Sequence, residues 1–312
     1  MKKLYLVGRA LPTLLREAQP SIPDWQHCDP NFIRQALARA LDRPSGGWYV
    51  VDATRAIQDR PAYYQIDGKE VVACRLDGRL IVARHACPHM AGPLSRGRIL
   101  DHHLVCPWHG LPLQPGHQGW QVYETHDDGV LTWVRFIQDD ASTATPLIAP
   151  RPASYISAVI RREAACEPRD IIANRLDPWH GAHYHPHTFA RLVVTKIDLD
   201  RLEVRVAYRV WGPLCIEVNA AFHSPEPRSI VMTIIAGEGA GSVVETHATP
   251  IVPGRSAVIE ATLATSDRPG FGHALKAAAL IRPLIMQAAH RLWVEDAAYA
   301  ERAYLIRHGK IG

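Results

Sequence analysis

The sequence predicts an α+β chain of two domains: a small all-β module, then a larger domain in which an antiparallel sheet curves around a helix. Three observations lead there. Residues 47–137 carry short β-like runs cut by the turn dipeptides Asp67-Gly68 and Asp77-Gly78. Further along, strand-like runs become longer and follow one another directly. The chain then closes on a long helical stretch, and strands in series with helices at the ends imply an antiparallel sheet, not a doubly wound parallel one.

The elements follow in order. Residues 1–46 read as an N-terminal extension, partly helical, with a helix-like run from Asn31 to Leu41 ended by Pro44-Ser45-Gly46-Gly47. The β module, residues 47–137, carries runs at Trp48–Val51, Glu70–Arg75, Leu80–Ala83 and Val130–Phe136. Residues 138–153, with Ala, Ser, Thr and three prolines, read as a linker. The second domain, 154–312, opens with a helical stretch near 169–185. Strands are expected at Arg191–Trp211, Leu214–Phe222, Ile230–Ala236, Ser242–Pro250 and Ala257–Thr265, and a helix or kinked helix pair from His273 to Arg307.

Composition narrows the function. At 312 residues the chain is long enough for two ordinary domains. A net charge of +4 with scattered Lys and Arg gives nucleic-acid binding little support. Arg9 and Pro12 interrupt the apolar N-terminal run, and Lys276, Arg282 and Pro283 interrupt the one at Leu275–Ala289, so neither a signal peptide nor a transmembrane segment is expected. Six cysteines are too sparse for a disulfide scaffold, which points to a reducing, cytoplasmic setting. Seventeen histidines are many for this length, and histidine is the commonest metal ligand.

Two Cys–His pairs stand sixteen residues apart, Cys87-Pro-His89 and Cys106-Pro-Trp-His109. In a Rieske cluster two imidazoles replace two thiolates on one of the two irons. Each tight loop here offers one thiolate and one imidazole, so Cys87 and Cys106 would hold one iron and His89 and His109 the other. A structural zinc site is the alternative, but such sites usually pair Cys with Cys and His with His. Cys87-Pro-His89-Met-Ala-Gly-Pro-Leu94 and Cys106-Pro-Trp-His109-Gly110 resemble the two cluster loops of Rieske proteins. Leu111-Pro-Leu113 departs from that pattern, where an aromatic residue is usual, and touches packing only. His85, His102, His103 and His117 fall outside the spacing and read as surface or supporting residues.

A second constellation runs Asn174-Arg-Leu-Asp177-Pro-Trp-His180-Gly-Ala-His183-Tyr-His185. Activation of O2 at a mononuclear Fe(II) needs two His and one carboxylate on one face. Asp177 and His180 are three apart and would share a helix face. His185 needs a bend, for which Gly181 offers freedom. A His-rich polar loop without metal is the bland alternative. The spacing Asn-x2-Asp-x2-His-x4-His resembles the iron-binding segment of Rieske non-haem iron oxygenases. That resemblance makes His180 and His185 iron ligands, leaves His183 and His187 as spares, and gives Asp177 the role of orienting His180 and bridging towards a cluster histidine.

The remaining carboxylate must come from elsewhere. At about 100° per residue, Asp296 falls on the apolar stripe of Ile285, Ala289, Leu292, Tyr299 and Ala303, and Glu295 beside Arg291 and Arg302. A carboxylate on an apolar stripe is costly unless paired, hydrogen-bonded or bound to metal. Asp296 is thus the expected third ligand, and Glu295 is expected in solvent, paired with Arg291. The resemblance agrees, since these oxygenases carry an acidic pair in the last helix.

The resemblance covers roughly residues 47–310 and implies a Rieske domain followed by a helix-grip catalytic domain. It implies a terminal oxygenase, nearer the monooxygenase and O-demethylase branch, that passes electrons from a [2Fe–2S] cluster to Fe(II) and uses O2 to hydroxylate, demethylate or otherwise oxidise a substrate. The absence of a Gly-rich dinucleotide fingerprint calls for a separate ferredoxin or NAD(P)H-dependent reductase. The family forms homotrimers in which one subunit's cluster serves the next subunit's iron. Val204, Val206, Val218, Phe222, Ile234 and Val243 suggest a small hydrophobic substrate. The rival reading is a Rieske electron carrier with an inert C-terminal domain, though a carrier needs only about a hundred residues.

Overall fold

A computed structural model describes residues 5–6, 9–10, 30–136, 141–211 and 214–311. Most of the expected N-terminal extension and the start of the linker lie outside these. Helix α1 spans Pro30–Leu41, and its Leu37, Ile33 and Ala36 pack into the core of the second domain. That helix is therefore part of the wall of the second domain and not of the β module that follows it.

The β module consists of three small antiparallel sheets. The strands Ala62–Ile66, Lys69–Leu76 and Arg79–Arg84 are joined by two-residue hairpin turns. Both turns need left-handed backbone at two successive residues, and Asp67-Gly68 (φ 50° and 72°) and Asp77-Gly78 (φ 51° and 76°) supply it. A second sheet joins Glu124–Asp127, Leu131–Arg135 and Trp48–Ala53, and a third joins Arg98–Leu100, His103–Val105 and Pro112–Leu113.

The second domain is built on one seven-stranded antiparallel sheet. From edge to edge it runs Ile156–Ala164, Arg255–Ala264, Val243–Val252, Ser229–Gly237, Leu214–Glu226, Leu202–Trp211 and Phe189–Ile197. Two expectations are corrected. The run Arg191–Trp211 is a hairpin, reversed where Asp198 N donates to Arg201 O at 2.8 Å, because the Asp-Leu-Asp-Arg segment favours a turn. Ile156–Ala164 is an additional edge strand. Helices α2 (Pro168–Arg175), α3 (Gly181–Tyr184), α4 (Phe271–Lys276) and α5 (Ala278–Arg307) complete the domain, and α5 carries Pro283.

Strand alternation gives the sheet two faces with different partners. On one face Ile230 and Val258 pack against Trp293 and Ala297 of α5. On the other, Val243, Ile259 and Ala261 pack against Trp48, Leu131 and Trp133 of the β module. The segment expected as a linker is anchored there. Arg151 binds Glu245 through both carboxylate oxygens (2.6 and 2.7 Å) and Asp128 at 3.0 Å. Glu245 is 2% exposed, so this fork of two hydrogen bonds compensates a charge that burial would otherwise penalise.

Candidate metal centres

The two Cys–His loops close in the same way. Ala91 N donates to Cys87 O (2.8 Å) and Cys87 N to Gly92 O (3.0 Å); Gly110 N donates to Cys106 O (3.1 Å) and Cys106 N to Leu111 O (2.9 Å). Both turns pass through left-handed backbone, at Ala91 (φ 59°) and Gly110 (φ 69°). The thiols of Cys87 and Cys106 are buried and close enough to share a hydrogen bond, and the amides of His89 and Met90 point at the Cys87 sulfur. The exposed rings of His89 and His109 meet edge to face, with centroids 4.8 Å apart. A Cβ on Gly92 would come within 3.0 Å of Cys106 Sγ, so this position admits only glycine without displacement. Paired buried sulfurs, amides aimed at one of them and two outward imidazoles fit a cluster with thiolates on one iron and histidines on the other.

The neighbouring residues divide as their chemistry suggests. Leu113 is fully buried in the module core, so the departure at 111–113 is a packing feature. His85 meets Ser95 Oγ at 2.9 Å, His102 pairs with Asp77, and His103 meets Asp101 O. Only His117 lies with His89 and His109, along a shared shallow depression.

The second centre gathers residues more than a hundred positions apart. Asp296 Oδ1 lies 3.1 Å from His180 Nε2, 2.9 Å from His185 Nε2 and 3.1 Å from Asn174 Nδ2. Among the described residues His180, His185 and Asp296 form the one set of three ligand-type groups with donor atoms within 4.8 Å. Burial would raise the pKa of Asp296, but the His180 and His185 contacts and the Arg175 charge hold it well below the usual range. Burial opposes a charge on His180, yet Asp177 and Asp296 outweigh it and raise its pKa to about 9. An ionised, buried carboxylate facing two imidazole nitrogens suits a divalent cation.

His183 and His185 separate cleanly, since His185 is 1% exposed whereas His183 is exposed. Three local expectations need correction. Gly181 does not bend the chain; it is helical (φ −51°), and its absent Cβ makes room for Leu192 at 3.2 Å and Phe189 at 3.4 Å. Asp177 caps the short turn Pro178–His180 through Trp179 N (3.2 Å) and accepts from the Tyr299 hydroxyl (3.1 Å). So engaged, its Oδ2 stands 3.7 Å from His180 Nδ1, beyond hydrogen-bond range. Finally, Glu295 is not a solvent partner of Arg291; its Oε2 meets His185 Nδ1 at 2.5 Å and lies 3.7 Å from His187 Nε2.

Tyr299 was visible in the sequence only as part of the apolar stripe. Its ring stacks on His180 at 5.1 Å, and its hydroxyl holds Asp177. Asn174, Asp177, His180, His185 and Asp296 line a cavity of about 470 Å³. Val204, Val206 and Phe222 contribute to its walls as expected, together with Phe189, Met232 and Leu292. Val218 and Val243 lie instead in packed cores, and Ile234 is not part of the lining.

A family model described as "Domain of unknown function (DUF5914)" matches residues 137–311, more than half of the chain. The chain belongs to that family. In front of it, residues 47–124 match the Rieske [2Fe-2S] domain. The vanillate O-demethylase oxygenase subunit of Pseudomonas sp. (strain HR199) is 37% identical over 191 residues, covering 55% of this chain and 52% of the relative. The oxygenase component of chloroacetanilide N-alkylformylase from Rhizorhabdus wittichii is 28% identical over 191 residues, covering 53% and 50%. These alignments span about half the length of the relatives. The crystal structure of dicamba monooxygenase bound to dicamba superposes with a TM-score of 0.64 over 86% of this chain and 91% of that one, at 17% identity. The terminal oxygenase of carbazole 1,9a-dioxygenase from Novosphingobium gives a TM-score of 0.55 over 87% of each chain at 13% identity. The fold of this DUF5914 member is thus that of the Rieske oxygenase terminal components.

Proposed function

We propose that this protein is a terminal oxygenase, in which electrons pass from a Rieske cluster held by Cys87, His89, Cys106 and His109 to a mononuclear iron held by His180, His185 and Asp296. The observation that carries the reading is the convergence of two imidazole nitrogens on one buried carboxylate oxygen, in the wall of a largely apolar cavity. Held by these residues, the cluster would supply single electrons and the Fe(II) would supply O2 activation, for hydroxylation, demethylation or a related oxidation of a hydrophobic organic substrate.

The chain's own residues position and exclude. Asn174 donates to Asp296 Oδ1 and limits its rotation. Glu295 fixes the ring of His185 by accepting from Nδ1, which leaves Nε2 towards Asp296. Tyr299 orients Asp177, the residue assigned to connect a cluster histidine with His180. The aliphatic walls keep water from the reacting centre.

A ferredoxin or NAD(P)H-dependent reductase would deliver the electrons. A homotrimer is the assembly in which Asp177 would bridge subunits. Supporting it, the β module packs on the sheet face opposite the cavity, so the sheet stands between a chain's own module and its own cavity. Among the described residues no helix is long and apolar enough to cross a membrane; a cytoplasmic location is the reading that accords with Cys74, Cys87, Cys106, Cys166 and Cys215 standing as free thiols.

Total iron together with oxygen uptake tests the proposal. About three irons per chain, two in the cluster and one mononuclear, with substrate-dependent O2 consumption in the presence of a reductase, is the expected result. About two irons and no uptake would instead identify an electron carrier.

A further inference from the structure

At the free edge of the large sheet lies a second cavity, separate from the metal centres. The strand Ile156–Ala164 ends the sheet. The β module packs on one face of that sheet and α5 on the other, and at this edge both line a space of about 590 Å³. It shares no lining residue with the cavity of His180, His185 and Asp296. Periodicity selects the groups that face it. Ser157, Val159 and Arg161 are alternate residues of the strand, and Arg282, Met286 and His290 follow at four-residue steps along α5. The β module adds Asp52 and Arg55.

The charges around this space are unbalanced. Three guanidiniums and an imidazole line it, against one carboxylate, Asp52. That carboxylate already accepts from the Ala53 amide (2.7 Å) and the Tyr64 hydroxyl (2.9 Å), and burial raises its pKa against those bonds and the Arg161 charge. Arg282 donates from Nε to Ser157 O at 2.7 Å. Its two terminal nitrogens, and the whole guanidinium of Arg55, have no partner among the described residues. Arg161 Nη1 stands 3.4 Å from Glu163 Oε1, and Arg161 Nε is buried without a partner. Burial and the charge of Arg55 both depress the pKa of Arg282, so the two cations repel each other. Cations left without a counter-charge in a partly desolvated space are costly, and an anion between them would form charge-assisted hydrogen bonds. The remaining walls are aliphatic, with Val130, Val159, Ile160 and Met286. An inorganic ion would leave those walls uncovered, whereas an apolar body attached to the anion buries them.

We infer that this cavity is a binding site for an organic carboxylate with an apolar body, its carboxylate held by Arg55 and Arg282 and its body laid against Val159, Ile160 and Met286. The bound molecule ties the β module to α5 at the sheet edge. The site uses none of the metal ligands, so it stands independently of the oxygenase reading.

Calorimetric titration of the holoprotein with octanoate, octanamide and inorganic phosphate tests this. Octanamide keeps the chain without the charge, and phosphate keeps the charge without the chain. A hydrogen bond to a charged group corresponds to about tenfold or more in affinity, so wild type should bind octanoate at least about tenfold tighter than either. Arg55→Gln removes an exposed guanidinium that has no partner among the described residues. It should weaken octanoate about threefold, the scale of one partly exposed charge pair. The double variant Arg55→Gln/Arg282→Gln should bring octanoate to within about twofold of octanamide. Unchanged iron content and cluster spectrum report that each variant is folded, and Arg55→Gln alone decides if loss of the Arg282 bond to Ser157 unfolds the double variant. Failure of wild type to bind octanoate, equal binding of octanoate and octanamide, or phosphate binding as tightly as octanoate overturns the inference. So does an octanoate affinity unchanged in Arg55→Gln, which would place the anion elsewhere on the protein.

Discussion

Replacing Glu295 by Ala should weaken metal binding at the second centre, although Glu295 is not itself one of the proposed ligands. Its carboxylate takes the Nδ1 proton of His185 at 2.5 Å, which fixes both the tautomer and the plane of that ring. A charge-assisted hydrogen bond contributes about 1.5–3 kcal/mol. The Glu295 side chain is 34% exposed, so solvent screening favours the lower end, about 1.5 kcal/mol. That converts to roughly a tenfold loss of affinity, at the low end of the ~10–100-fold typical for groups that orient metal-bound histidines. Fe(II) titration against a competing chelator under argon measures it, with Asp296→Ala as the limit of complete loss. Glu295→Gln, which retains an uncharged acceptor, should fall between wild type and Glu295→Ala. The reasoning fails if Glu295→Ala binds Fe(II) within about twofold of wild type, the result expected had Glu295 been an exposed partner of Arg291 worth a few tenths of a kcal/mol.

Asp296→Ala should lower iron by about one per chain and abolish turnover while leaving the cluster's visible and EPR signals unchanged; altered cluster spectra would place Asp296 in a wider structural role. Asp177→Asn should load both centres yet slow reoxidation of the pre-reduced cluster by orders of magnitude on rapid mixing with O2 and substrate, and reoxidation at the wild-type rate would remove the bridging role. Acid should loosen the contact between the β module and the sheet. Although burial raises the pKa of Glu245, hydrogen bonds from Arg151 and His247 outweigh it and lower it to about 2. A depressed carboxylate contributes stability above its unfolded pKa of about 4.3 and loses it as pH falls towards 2, an effect of order 3 kcal/mol. Urea midpoints measured between pH 6 and 3 should therefore fall more steeply for wild type than for Glu245→Gln, and parallel curves would show the pairing to be energetically minor.

By itself the sequence determined the features that are local. Ligand spacing in the two Cys–His loops is a matter of a few residues of backbone, and the hairpins follow from Asp-Gly pairs that tolerate left-handed backbone. Helical phase likewise separated Asp296 from Glu295, because burial on α5 follows the angle per residue. Tertiary structure decided whatever depends on what stands opposite a side chain. Phase placed Glu295 on the outer side of α5, but only the tertiary fold, in which α2 packs on α5, brings His185 within its reach. In the same way Tyr299 and Trp293 were apolar positions in a pattern until folding placed Asp177 beside one and Glu260 beside the other. Side-chain periodicity reports which face is buried, whereas hydrogen-bond partners more than thirty residues away are chosen by packing, and no local pattern encodes them.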